Sequence, residues 1–138
     1  MDGELSNKMR IISGSLKGKS LFFLKNSNTR PLKDIVKENI FNILNHSNLI
    51  DITLKEAIVL DLYSGIGSFG LECISRGAKK VSFVEKDKSA YEILKKNLNN
   101  LCIKDKAVIF NDDIENFLQN KRNEKYNIFF FDPPFSDK

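Results

Sequence analysis

The segment Asp132-Pro133-Pro134-Phe135 has the residue types of a site for a planar base that carries an exocyclic amino group. It directly follows the apolar run 126–131, whose residues favour a β-strand. The two prolines stiffen the backbone, have no N–H donors and cannot continue a strand ladder. A carboxylate, bare carbonyl oxygens and an aromatic ring could therefore accept hydrogen bonds from an amine and stack on a ring. A purely structural strand-to-loop turn would explain the same residues equally well.

A second candidate site is the glycine-rich segment 65–70, which matches the pattern G-x-G-x-x-G. The pattern alone is weakly specific, but here it lies between a predicted buried strand and a predicted helix. Gly65 and Gly67 would permit a tight turn and the close approach of a ligand. Glu85 ends the next predicted strand, 20 residues after Gly65, where a carboxylate can accept hydrogen bonds from ribose hydroxyls. These features predict either a dinucleotide such as NAD or an adenosine ligand such as S-adenosylmethionine.

The acidic residue Asp61, close to the glycine-rich segment, favours S-adenosylmethionine over NAD. Asp61 lies four residues before Gly65, where a carboxylate would repel a pyrophosphate but would suit an ammonium or a sulfonium. Asp112 and Asp113 follow the third predicted strand, and we expect Asp113, rather than Asp112, to bind the adenine amino group. Because the carboxyl ends of the strands of an open α/β sheet line one crevice, all these groups should face a methyl donor and a planar amine.

The elements that must position these residues alternate regularly along the chain. We predict a hairpin over 9–24, helices over 32–45, 68–76, 88–101 and 114–119, and strands over 57–62, 80–85, 107–110 and 126–131. Strand–helix alternation predicts an α/β fold with a mostly parallel, doubly wound sheet. We predict a single domain over 1–138, in which a hairpin and helix extension, 9–47, precedes an α/β core, 57–138.

The charge of the chain is concentrated in its first third. The formal net charge is +4, and residues 1–47 hold eight basic and four acidic side chains, whereas the rest holds 14 of each. This asymmetry suggests a surface that faces a polyanion, although a solvated lysine-rich face without a partner is the simpler interpretation. No apolar stretch has the length of a membrane span, and the first residues lack the pattern of a signal peptide. Cys73 and Cys102 have no spacing typical of a metal site.

Several segments resemble known methyltransferases. Residues 61–72 resemble the cofactor loop of class I methyltransferases, and residues 132–135 resemble the [Asn/Asp]-Pro-Pro-[aromatic] motif of enzymes that methylate exocyclic amines of nucleic-acid bases. Four N-terminal segments, 10–14, 17–18, 30–31 and 34–42, resemble the RsmD family, bacterial methyltransferases that act on a guanine amino group in small-subunit ribosomal RNA. The resemblance spans about residues 9–135, and its N-terminal part is the more specific.

This resemblance implies a Rossmann-like class I methyltransferase fold, S-adenosylmethionine as cofactor, no metal, and ribosomal RNA or the assembling small subunit as partner in the cytoplasm. The implied cofactor residues are Asp61, Tyr63, Ser64, Gly65, Gly67, Gly70, Glu85, Asp112 and Asp113. The implied catalytic residues are Asp132, Pro133, Pro134 and Phe135. The implied phosphate contacts are Arg10, Lys17, Lys19, Arg30 and Lys37.

The expected chemistry is the in-line transfer of a methyl group to the guanine amine. Asp132 and the Pro133 carbonyl would accept hydrogen bonds from the amine, and Phe135 would stack on the base. No strong general base is required. Two alternatives remain at this point: an NAD-dependent oxidoreductase, which the glycine segment and Glu85 also fit, and a non-enzymatic module that binds RNA.

The C-terminal end departs from the family pattern, because further strands follow the Asp-Pro-Pro-Phe motif in family members, whereas this chain stops three residues after Phe135. We therefore expect an incomplete methyltransferase domain whose last strand, 126–131, forms an apolar, exposed sheet edge.

Overall fold

A computed structural model of the chain describes residues 9–24, 34–46, 54–120 and 125–133. The strands are β1 (Met9–Arg10), β2 (Ser20–Leu21), β3 (Ile58–Leu62), β4 (Lys80–Val84), β5 (Ala107–Phe110) and β6 (Ile128–Phe131). The helices are α1 (Asp34–His46), α2 (Ser68–Ser75), α3 (Lys88–Leu101) and α4 (Ile114–Gln119). A short 3₁₀ turn, Lys104–Lys106, links α3 to β5.

The main sheet is parallel, with strand order β5-β4-β3-β6. Its strands are short apolar runs, as expected when helices cover both faces of a parallel sheet. α2 connects β3 to β4 and α3 connects β4 to β5, so successive strands are joined by crossover helices, as the strand–helix alternation predicted. The predicted Rossmann-like α/β fold is confirmed.

Alternate side chains of the central strands enter two apolar clusters on opposite faces of the sheet. On one face, residues such as Val59 and Phe83 join the larger core with α2, α3 and the hairpin. On the other face, Leu60 and Val84 join a smaller cluster that includes Phe117 of α4. The hairpin belongs to the main core because Ile11 is only 1% exposed there.

Local signals set the bounds of the helices. Asp87 caps α3 by accepting a 2.9 Å hydrogen bond from the Ala90 N–H, and Asp113 caps α4 through the Asn116 N–H at 2.7 Å. Gly77, with a φ of +112°, takes the left-handed conformation just beyond α2. α3, α4 and β5 have the predicted bounds, and α2 ends one residue earlier than predicted, at Ser75.

The N-terminal hairpin is mostly turn, with only two residues in each strand. It docks on the C-terminal end of α2, where the Ser15 N–H donates to the Ser75 carbonyl at 2.7 Å. The Ser75 hydroxyl donates to the Ser13 carbonyl at 2.6 Å and accepts from the Leu16 N–H at 2.9 Å. Gly14 permits this approach, because a Cβ there would lie 2.0 Å from the Ser75 carbonyl oxygen.

β6 lies at one edge of the described sheet and pairs with β3. Phe129 and Phe131 on this strand are each 60% exposed, as expected for an apolar edge. Phe130 points the other way and stacks on Phe69 of α2, with ring centroids 3.8 Å apart. β6 therefore packs against the main core through Ile128 and Phe130, whereas Phe129 and Phe131 on its other face make ring contacts but stay largely exposed.

Candidate functional site

The four parallel strands end at the same level of the sheet. Leu62 pairs in register with Val84 on one side and with Phe131 on the other, and Val84 pairs with Phe110. The residues that follow these positions are Tyr63, Glu85, Asn111 and Asp132. The structure therefore brings three predicted site residues, Tyr63, Glu85 and Asp132, to one edge of the sheet, together with Asn111.

The glycine loop between β3 and α2 has an unusual backbone. Tyr63, Gly65 and Gly67 all have positive φ, of 59°, 60° and 98°. This conformation strains a residue with a side chain, so Tyr63 needs support from its neighbours. Ser64 supplies it, because its N–H donates to the Val84 carbonyl at 2.9 Å and its hydroxyl donates to the Asp61 carbonyl at 2.6 Å. The loop is thereby fixed to the ends of β3 and β4.

Glu85 holds the glycine loop from the end of β4. Its Oε1 accepts a 2.7 Å hydrogen bond from the Gly65 N–H, and its Oε2 accepts one of 2.9 Å from the Asp87 N–H. The side chain is therefore fixed and only 8% of the residue is exposed. Each carboxylate oxygen can accept a second hydrogen bond, so this arrangement leaves acceptor capacity for ligand hydroxyls.

Asp61 is a buried carboxylate beneath the loop, with 1% of the residue exposed. Its Oδ2 accepts a 3.1 Å hydrogen bond from the Gly70 N–H. Burial raises the pKa of Asp61 well above its usual range; the Gly70 hydrogen bond opposes this shift, and the carboxylates of Glu85 and Asp132 add to it. A cation placed among these three carboxylates would therefore stabilise the ionised form of Asp61.

Gly70 lets α2 lie directly against β4. A Cβ at this position would meet Phe83 Cε2 at 2.3 Å and Val81 Cγ1 at 2.9 Å, distances that real Cβ atoms do not show. The last glycine of the pattern thus serves helix–strand packing, as in dinucleotide-binding folds. At Gly67 a Cβ would lie 2.5 Å from Leu94 Cδ1 of α3.

The residues after β5 are engaged in local hydrogen bonds. Asp113 caps α4 through Oδ1, and both Asp112 carboxylate oxygens accept hydrogen bonds from the Asn116 side chain, at 2.8 and 3.1 Å. Asn111, which the sequence reasoning missed, donates from Nδ2 to the Glu85 carbonyl at 2.9 Å. Its position directly after an apolar strand was the available signal.

Asp132 and Pro133 follow β6, with Asp132 exposed and Pro133 partly buried. Asp132 is near enough to Asp61 for its charge to raise the pKa of that buried carboxyl. Tyr63, beside them, makes an edge-to-face contact with Phe131, with ring centroids 5.3 Å apart. Pro134 and Phe135 lie outside the described residues.

Three of the predicted phosphate contacts, Arg10, Lys17 and Lys19, are exposed on the hairpin, and Arg30 lies outside the described residues. The prediction for Lys37 is wrong, because this residue is fully buried. Its Nζ lies 3.3 Å from Glu72 Oε1. It also donates to the Ser68 hydroxyl at 3.0 Å. Its helix turns Lys37 and Phe41, one turn apart and both 0% exposed, toward the core.

Among the described residues, no group of three or more His, Cys, Asp or Glu side chains is arranged to hold a metal ion. No described helix is long and apolar enough to cross a membrane.

Residues 9–138 match the family described as "Conserved hypothetical protein 95". The chain belongs to this family. A curated relative from Haemophilus influenzae, named "Ribosomal RNA small subunit methyltransferase D", is 38% identical over 130 residues and covers 93% of this chain and 64% of its own length. YlbH of Bacillus subtilis is 37% identical over 132 residues, which cover 94% of this chain and 68% of YlbH.

The solved structure of yhhF from Escherichia coli has the same fold, with a TM-score of 0.79 at 32% identity over 94% of this chain and 65% of that chain. The predicted resemblance to the RsmD family and the class I methyltransferase fold are thus confirmed. The chain spans between 64% and 68% of the length of these three proteins.

Proposed function

We propose that this protein is an S-adenosylmethionine-dependent methyltransferase that modifies the exocyclic amino group of a guanine in small-subunit ribosomal RNA, in the cytoplasm. The observation that carries the proposal is the convergence of Asp61, Glu85 and Asp132 around the glycine loop. The relative named "Ribosomal RNA small subunit methyltransferase D" supports an RNA substrate. The guanine target comes from the resemblance of the N-terminal segments.

The donor-binding residues fit a cationic adenosine ligand. Asp61, buried and close enough to Glu85 and Asp132 for their charges to raise its pKa, would be stabilised by the positive charges of the amino-acid end of S-adenosylmethionine. Glu85 would accept hydrogen bonds from the ribose hydroxyls, and Asp113 would bind the adenine amine. The donor would supply an already activated methyl group. The same three carboxylates disfavour the pyrophosphate of NAD.

The acceptor residues would orient the guanine amine. The Asp132 carboxylate and the Pro133 carbonyl would accept hydrogen bonds from the amine, direct its lone pair at the methyl carbon and stabilise the positive charge that grows on nitrogen as the methyl–sulfur bond of the donor breaks and leaves a neutral thioether. Holding two reactants in this geometry can supply roughly 7–11 kcal/mol. Pro134 and Phe135 complete the site in this proposal, with Phe135 stacking on an unpaired base.

The hairpin would hold the RNA through Arg10, Lys17 and Lys19, which are exposed. Phosphate contacts release counterions, so RNA binding should weaken as salt rises, and each lost contact should flatten the slope of log Kd against log salt by about 0.7 to 0.9. Lys17→Gln should flatten it, whereas Lys104→Gln, on the exposed 3₁₀ turn Lys104–Lys106, should not. Equal slopes in both variants would contradict the RNA-binding role of the hairpin.

Methyl transfer to ribosomal RNA tests the catalytic assignment. Asp132→Ala should lower kcat about 100- to 1,000-fold, as the loss of one preorganised charge-stabilising group does in other enzymes. Asp105→Ala removes a similar exposed carboxylate from the 3₁₀ turn and should leave the rate unchanged. Near-normal transfer by Asp132→Ala would show that the assignment is wrong.

Calorimetry with both cofactors separates the competing functions. We expect binding of S-adenosylmethionine and none of NAD. Tight NAD binding without S-adenosylmethionine binding would favour an oxidoreductase. Binding of RNA with neither cofactor would favour a non-enzymatic RNA-binding module.

A further inference from the structure

Asn97 is a polar side chain of α3 that is completely buried, with 0% of the residue exposed. Its Oδ1 accepts a 2.7 Å hydrogen bond from the Phe22 N–H. Its Nδ2 donates to two carbonyls, that of Phe22 at 3.2 Å and that of Ile66 at 3.1 Å. A buried amide is tolerated only when it is hydrogen-bonded, and Asn97 meets this condition by joining two distant segments.

The two segments joined by Asn97 belong to different predicted sites. Phe22 directly follows β2, and so belongs to the N-terminal segment that carries Lys17 and Lys19. Ile66 lies in the glycine loop, between Gly65 and Gly67. Both polar groups of the Phe22 backbone are bound by the same side chain, so the exit of the hairpin cannot shift without disturbing the amide that holds the loop.

A second buried connection joins the same two regions through Glu72 of α2. The N–H groups of Ile12 and Ser13, in the hairpin, each donate to a Glu72 carboxylate oxygen at 3.0 Å. Lys37 pairs with Glu72 and also donates to the hydroxyl of Ser68, the residue directly after Gly67. The hairpin is therefore connected to the glycine loop through Asn97 and to the start of α2 through Glu72 and Lys37.

We propose that Asn97 is a positioning residue that couples the hairpin to the glycine loop, so that methyl-donor binding and RNA binding strengthen each other. This inference rests on the proposed function, in which the loop binds the donor and the hairpin binds RNA. A ligand that orders one of two connected segments reduces the freedom that the other must lose when its own ligand binds. The effect is reciprocal, because coupling between two binding equilibria acts equally in both directions.

Hydrogen exchange with S-adenosylmethionine alone tests the coupling. The N–H groups of Ile11, Gly18 and Lys19 donate to carbonyls within the hairpin and not to the glycine loop. Saturating donor should slow their exchange by about fivefold or more, the lower end of typical coupling factors. Wild-type protein that binds no donor would contradict the proposed function and this inference with it. Donor binding without slower exchange in the hairpin would contradict the inference alone.

Asn97→Asp is the diagnostic variant, because it keeps the acceptor for the Phe22 N–H but turns an oxygen toward the carbonyls of Phe22 and Ile66. Donor-dependent slowing in the hairpin should become clearly smaller than in the wild-type protein, because only the connection through Glu72 and Lys37 remains. Asn100→Asp makes the same change at an exposed position of the same helix and should keep the full effect. Full slowing in a folded Asn97→Asp protein would overturn the proposal.

Lys37→Met covers the case in which Asn97→Asp does not fold. Methionine fills a similar space and removes the ammonium between Glu72 and Ser68, so the donor-dependent slowing of exchange in the hairpin should weaken. Unchanged slowing would count against the coupling.

The affinity for the donor gives a second measurement. With a short RNA that carries an unpaired guanine, the donor Kd should fall by about fivefold or more in wild-type protein and in Asn100→Asp. The donor Kd should fall by less in Asn97→Asp, and an equal fall there would also overturn the proposal.

Discussion

The carboxylate of Glu85 accepts a 2.7 Å hydrogen bond from the backbone N–H of Gly65, across a separation of 20 residues. The group that the sequence predicts as a ribose ligand therefore also fixes the loop that would surround the ligand. Because Glu85 follows β4 and Gly65 follows β3, their contact depends on the in-register ends of the two strands. A change at Glu85 should therefore disturb both the ligand contact and the loop.

We expect Glu85→Gln to weaken S-adenosylmethionine binding by about tenfold or more, since hydrogen bonds to charged groups contribute about 1.5–3 kcal/mol. Calorimetric titration measures the change. Glu92→Gln removes a half-exposed carboxylate from α3 and is the matched control, with no expected effect on the Kd. Equal affinities for the two variants would mean that Glu85 does not contact the donor.

Asp61→Asn should stabilise the ligand-free protein at neutral pH. Because burial raises the pKa of Asp61, the folded state holds a proton that the unfolded state has lost, and stability falls as pH rises from the usual range of an aspartate through the raised pKa. The introduced amide cannot ionise and would remove this fall while keeping an acceptor for the Gly70 N–H. Thermal unfolding of both proteins at several pH values measures this pH dependence of stability. A loss of stability with rising pH that is equal or steeper in the variant would contradict the raised pKa of Asp61.

The same substitution should weaken the donor affinity, because a neutral amide attracts a cation far less than a carboxylate does. In the wild-type protein the Kd for S-adenosylmethionine should decrease as pH rises and Asp61 ionises, and in Asp61→Asn this decrease should be smaller. Calorimetric titration of both proteins at several pH values measures the donor affinity and its pH dependence separately. A pH dependence that is the same in both proteins would assign it to another group.

Glu72→Gln should destabilise the fold by about 3 kcal/mol or more, since removing one partner of a buried ion pair leaves the other charge uncompensated. Lys37 is that partner, with both side chains 0% exposed. Lys37→Met should cost less, because Glu72 keeps Arg76 at 2.8 Å and two backbone N–H donors. The double variant should lose less than the sum of the single losses. Urea unfolding measures all three, and additive losses would refute the coupling.

Gly70→Ala should destabilise the protein by about 1–3 kcal/mol through overpacking. The added methyl would meet the Phe83 ring at 2.3 Å, and Gly70 has no strained φ that would confuse the result. Phe83→Leu removes the colliding ring atoms, so the double variant should lose less than the two single changes together. Urea unfolding measures the three stabilities. If the losses of the two single variants simply add in the double variant, the helix moves away from the strand instead of colliding with the ring.

Local chemistry makes much of this fold predictable from the sequence. The bounds of α3 and α4 follow from capping by Asp87 and Asp113, and the parallel sheet follows from apolar runs alternating with helical periodicity. The glycine loop and the acids at the strand ends were predictable for a related reason. Every strand of a parallel sheet ends on the same side, so residues that follow apolar runs must meet there.

The burial of polar residues was decided only by the tertiary structure. Lys37 was predicted to contact a phosphate, but it lies in the core. The sequence could not show this, because its partner Glu72 comes from another helix and no sequence pattern pairs the two residues. Asn97 joins Phe22 and Ile66 across separations of 75 and 31 residues. Local sequence determines helices, strands and caps, since those depend on near neighbours. Which charged or amide groups are desolvated depends on which distant partners can satisfy them, and that is settled only when the elements pack.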